Sequence, residues 1–113
     1  MINVYDTANR LESELRQTPE VMGLQSAFSQ MKADAMAYSL FQKMEKLQAD
    51  FQQKQVSGQE ISDEEIKNLQ TISGQLTKFD SVQRLMEQER KVNAMMEELN
   101  KIISKPLAEI YQG

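Results

Sequence analysis

The segment "QRLMEQERKVNAMMEELNKII", Gln83 to Ile103, repeats apolar residues at a helical period. Leu85, Val92, Met96, Leu99 and Ile103 fall on one stripe, and the slot between Leu85 and Val92 holds Glu89. The same period recurs along the chain and predicts five helical segments. Tyr5, Ala8, Leu11 and Leu15 mark a helix over 4–17, with Asn3 as its cap. Thr18, Pro19 and Glu20 suit the start of a second helix over 19–33, whose stripe is Val21, Leu24, Phe28 and Met31. Asp34 reads as the cap of a third over 35–55, with Ala37, Phe41 beside Leu40, Met44, Leu47 and Phe51 facing one way. A single kinked helix over both segments is the open alternative.

The most sharply punctuated break is "VSGQEISDEEI". Gly58 supplies a left-handed stop, Ser62 with Glu65 fits a capping box, and Ile61 with Ile66 fits the staple around it. A fourth helix follows over 63–78, with Ile66, Leu69, Ile72 or Ser73, and Leu76 inward. A fifth spans 81–111, capped by Asp80, and Pro106 is expected to kink or interrupt its last turns. The fold class is therefore all-α: an elongated antiparallel bundle of four to five helices with a long C-terminal helix, forming one domain over 1–113.

Length adds a constraint. The fifth helix, at a rise of about 1.5 Å per residue, runs roughly 45 Å. A compact domain of this size is only about 35 Å across. One end overhangs, and it carries Leu99, Ile102, Ile103, Leu107 and Ile110, costly to leave wet at roughly 25 cal/mol per Å². A second copy of the chain is the simplest cover, giving a homodimer or larger oligomer.

Composition narrows the chemistry. The 113 residues include no cysteine and no histidine, which removes thiolate chemistry, the commonest metal ligand and the commonest general base. Paired glutamates at Glu64/Glu65, Glu87/Glu89 and Glu97/Glu98 lack the histidines of helical di-metal sites, so they read as solvated helix faces. The four glycines stand apart and form no phosphate loop. No metal, cofactor or enzymatic activity is expected. Net charge is −4, with 17 acidic and 13 basic residues interspersed, which disfavours unaided binding to nucleic acid. No apolar run is long enough for a membrane span, and the N-terminus lacks the build of a signal peptide, so a cytoplasmic protein is expected.

Eight methionines are unusual for this length. Met31 and Met44 lie on inward stripes and read as core. Met86 and Met95 fall beside the stripe and are candidates for a subunit or partner surface, since methionine repacks readily. Gly23 and Gly74 sit inside helices, where a close helix crossing or a tolerated imperfection explains each.

The order of elements resembles a known family. "TPEVMGLQSAFSQMKADAMAYSLFQKMEKLQADFQQKQVSGQEIS" and then "LTKFDSVQRLMEQERKVNAMMEELNKIISKPLAEIY" are similar to the YlbF/YmcA family of small bacterial helical proteins, nearest its YheA-like branch in Gram-positive bacteria. The likeness rests on D-A-x-A opening a helix, F-Q-x-x-Q closing it, a Gly-containing loop, then F-D-x-V and an E-R-x-V helix. It implies an all-helical oligomer without enzymatic activity. It also implies regulation, through a multi-protein complex linked to competence, biofilm formation, sporulation and mRNA processing by an endoribonuclease. Some relatives hold an iron–sulfur cluster on cysteines; this chain has none, so that cofactor does not carry over.

The expected function is a non-catalytic cytoplasmic scaffold or regulator that self-associates and binds a protein. An RNA-associated factor in mRNA processing is the alternative. The expected interface is Met86, Glu89, Met95, Leu99, Ile102, Ile103, Leu107 and Ile110. Within it Glu89 has three readings: an edge residue in water, a buried acceptor for Gln48 or Tyr38, or a partner contact. As a polar residue in an apolar seam it would limit register and copy number.

Overall fold

A computed structural model describes residues 2–113 and places five helices: α1 (Val4–Arg16), α2 (Pro19–Ala33), α3 (Ala35–Ser57), α4 (Asp63–Leu76) and α5 (Asp80–Gln112). No strand occurs among the described residues. Short polar side chains set the starts. Asn3 accepts from the N–H groups of Tyr5 and Asp6, and Thr18 Oγ1 accepts from Val21 at 3.3 Å. Each bond satisfies a donor that the first helical turn leaves without a partner.

α2 and α3 are two helices, separated by Asp34 alone. Its backbone is extended, at φ −87° and ψ 99°, and its carboxylate accepts from Ala37 N–H. The other carboxylate oxygen accepts from the Ser81 hydroxyl at 3.5 Å, so the elbow is tied to the start of α5.

α3 runs two residues past the expected Gln55 because Gly58 lies just beyond its end. Gly58 takes φ 77°, Gln59 N–H donates to Lys54 O at 2.9 Å, and Gly58 N–H donates to Gln55 O. These are the paired bonds of a Schellman stop. Across the loop, Glu65 N–H donates to Ser62 Oγ at 3.1 Å, and the Ser62 hydroxyl donates to the Glu65 carboxylate. The same carboxylate oxygen meets Lys54 Nζ at 2.5 Å, joining the end of α3 to the start of α4. Hydrogen bonding from Lys54 holds the Glu65 carboxyl below the usual glutamate range. Burial opposes that shift, and the Ser62 hydroxyl adds to it.

The junction of α4 and α5 also differs from expectation. Asp80 lies inside the first turn of α5, where its charge faces the positive end of the dipole. The bonds that open the helix run from Val82 and Gln83 N–H to Phe79 O. α4 stops at Leu76, and the Thr77 carbonyl accepts from the Gln83 side chain at 2.8 Å. α5 continues through Pro106 to Gln112 without interruption. Proline removes the bond to the Ile102 carbonyl, but Ile102 is exposed, so water can serve that acceptor.

Contacts gather the chain into two compact units, Met1–Ser26 with Met86–Gly113, and Ala27–Leu85. Among the described residues, the seven buried ones belong to the second: Ala27, Met31, Ala37, Ile72, Leu76, Val82 and Leu85. Met31 is the fully enclosed large side chain. Phe28 and Phe41 meet edge to face at 5.8 Å, and the Lys32 ammonium lies 5.7 Å from the Phe28 ring and 5.8 Å from Tyr38. Both arrangements are favoured by the ring quadrupole. In the first unit Leu11, Leu15, Val21, Leu24, Val92, Met95 and Leu99 are half-buried.

Ser62→Ala removes the acceptor for Glu65 N–H and is expected to cost about 1 kcal/mol in urea denaturation. Gly74→Ala should do the opposite. A Cβ there meets nothing within 4 Å, so alanine should stabilise by up to about 1 kcal/mol through helix propensity alone.

Candidate functional site

The inward side of α5 runs Val82, Leu85, Gln88, Val92, Met95, Leu99, all buried or half-buried. This is a regular three–four alternation. The polar residue that interrupts the stripe is therefore Gln88, and Glu89 is exposed. The reading of Glu89 as a buried acceptor for Gln48 or Tyr38 gives way within the chain, because its carboxylate is open to water. The expected places of the two adjacent methionines are also exchanged. Met95 is half-buried, while Met96 is 39% exposed.

Gly23 explains why a glutamine is accepted in that slot. A Cβ at Gly23 would stand 2.5 Å from Gln88 Oε1 and 3.2 Å from its Cδ. The missing side chain on α2 is the room that the Gln88 amide fills. Of the two readings of the helical glycines, Gly23 takes the close crossing and Gly74 the tolerated imperfection.

Beyond Leu99 the apolar residues of α5 face solvent. Ile102, Ile103, Leu107 and Ile110 are 62–70% exposed, and Tyr111 is exposed beside them. Met86 is exposed as well. Of the eight expected interface residues, Met95 and Leu99 are half-buried and the others are open. In α4, Ile66 is exposed rather than inward. In α1, Tyr5 is exposed, with Leu11 and Leu15 half-buried.

Ala27–Leu85 carries a second apolar surface that the periodicity of the sequence does not reveal. An open groove of about 590 Å³ lies between the first turns of α3 and the turn from α4 to α5. Ala35, Met36, Leu40 and Phe79 form its floor and sides. The signals for it were a methionine off the α3 stripe and a phenylalanine in a turn.

Among the described residues, no group of three acidic side chains is placed to hold a metal ion. Glu65 is engaged with Lys54 and Ser62, and Glu87 with Arg90 at 3.1 Å. Among the described residues, no helix is long and apolar enough to cross a membrane.

Comparison with known proteins agrees with this architecture. The model of the YlbF/YmcA family, described as control of the competence regulator ComK, matches residues 4–108. The chain belongs to that family. It is 44% identical to a UPF0342 protein of Latilactobacillus sakei over 99% of this chain and 98% of the relative. It is 48% identical to a UPF0342 protein of Limosilactobacillus fermentum over 99% and 93%. A solved structure, a protein of unknown function (DUF964) from Bacillus stearothermophilus, superposes with a TM-score of 0.86 at 25% identity. The superposition covers 97% of this chain and 96% of the other. As a YlbF/YmcA member, the protein shares the all-helical fold with its long C-terminal helix.

Because Glu89 is exposed, Glu89→Gln is expected to leave stability within about 0.5 kcal/mol of the parent. Gln88→Leu, by contrast, should change the α2 crossing and shift the urea midpoint measurably.

Proposed function

We propose that this YlbF/YmcA member is a non-catalytic regulatory protein of the cytoplasm that self-associates through the last turns of α5 and docks a protein partner elsewhere. The observation that carries the reading is the exposed run Ile102, Ile103, Leu107 and Ile110. Contiguous apolar surface on a helix marks an interaction site more often than an accident of composition. A two-fold pairing would lay the stripe against its own copy, and no second kind of surface is then required. The family description, control of the competence regulator ComK, fits regulation by association rather than by a reaction. Direct action on RNA finds less support, since acidic residues exceed basic ones by four across the chain.

Size-exclusion chromatography with light scattering should give at least twice 13.0 kDa at micromolar concentration. The double variant Ile103→Glu with Leu107→Glu should run as a monomer with unchanged helix content, since both side chains are exposed. A parent protein that runs as a monomer overturns self-association. A gel shift with RNA that persists at moderate salt would favour the nucleic-acid alternative instead.

A further inference from the structure

The groove in Ala27–Leu85 differs in charge from the rest of the chain. Ala35, Met36, Leu40 and Phe79 line it with Ser39, Gln75 and two lysines, Lys43 and Lys78, and no carboxylate is among its described lining residues. Acidic residues outnumber basic ones in the whole sequence, so this is a local reversal of sign. Neither lysine has an ion-pair partner within 4.0 Å among the described residues, whereas Lys54 and Arg16 are paired. Along the α3–α4 face the surface continues past Lys46 and Leu47, with Asp50 at its far end. Met36 is 72% exposed, a large flexible side chain kept in water beside two unpaired cations.

We propose that this groove is the docking site for a partner protein's short amphipathic helix whose apolar anchors are flanked by carboxylates. Three features select that occupant. The groove is largely apolar and open to solvent rather than enclosed, which suits a helix laid on it better than an engulfed small molecule. Methionine adapts to anchors of varied shape. The two lysines stand where they meet acidic residues bordering the anchors, and complementary charge of this kind sets orientation and partner choice. The chain's own exposed apolar segment fits poorly, since Lys101 and Lys105 outnumber Glu109 around Ile102–Ile110. The proposal rests on the reading of the protein as a partner-binding regulator and names the chemistry of the partner.

The test uses the full chain and two labelled peptides of about four helical turns. One carries leucines at i, i+3, i+4 and i+7 bordered by glutamates; its twin has lysine for every glutamate. Fluorescence anisotropy should show the acidic peptide binding at least about tenfold more tightly than its twin, with affinity falling as salt rises from about 0.05 to about 0.3 M. Lys43→Glu with Lys78→Glu should reverse the preference, and Met36→Asp should weaken the acidic peptide. All three positions are exposed, so matched helix content by circular dichroism is expected. Absence of saturable binding, equal binding of the two peptides, or an acidic-peptide affinity unchanged by the lysine variant overturns the proposal. Binding of palmitate in place of the acidic peptide also overturns it, in favour of a fatty-acyl carboxylate. Light scattering on the lysine variant should give the parent's mass, which separates failure of the groove from failure of self-association.

Discussion

Asp34 places one residue outside helical geometry, and three contacts follow from it. Its extended backbone ends α2 and starts α3 as a separate helix, with Phe28 of the first meeting Phe41 of the second edge to face. Its side chain caps α3 through Ala37 N–H. Its second oxygen takes the Ser81 hydroxyl and ties down the start of α5. A short polar residue is required, because only a side chain of that reach satisfies a first-turn donor while its own backbone leaves the helix. Val82 and Leu85 are buried just beyond Ser81, so the tie holds the start of α5 where it enters the core.

The Lys54–Glu65 pair and the Gly58 stop do the same for α3 and α4, but by a different route. Glycine alone takes φ 77° without crowding, and the Schellman bonds then satisfy the last carbonyls. Among the described residues, the buried ones all lie in Ala27–Leu85. The other unit holds only half-buried apolar side chains, together with an apolar C-terminal stripe in solvent. Whatever binds that stripe adds free energy where the chain's own burial is thinnest, which links assembly to stability by mass action.

Sequence made the punctuation legible. Asn3, Thr18, Asp34, Gly58 and Ser62 act where their chemistry places them, because capping depends on a few adjacent atoms. Facing was less legible. On α5 a stripe through Glu89 and Met96 and one through Gln88 and Met95 differ by one residue, or about 100° of rotation. Apolar content alone does not separate them. The deciding fact is the gap left at Gly23 on another helix, a pairing of distant positions that a period within one helix does not contain. The groove was hidden for a related reason, since it is built from a helix start and a turn rather than from a stripe.

The two open apolar surfaces are alike in polarity, and lysines border both. Lys101 and Lys105 border the α5 stripe, and Lys43 and Lys78 border the groove. Like charges brought together across a desolvated contact oppose it, and mismatches of that kind exclude wrong pairings. If the stripe of one copy entered the groove of the next, the contact would be head to tail, and such contacts propagate into fibres unless a ring happens to close. Cationic borders on both surfaces disfavour that contact. A stripe paired with its own copy would meet the same lysines, but as a two-fold contact it would close on itself rather than propagate.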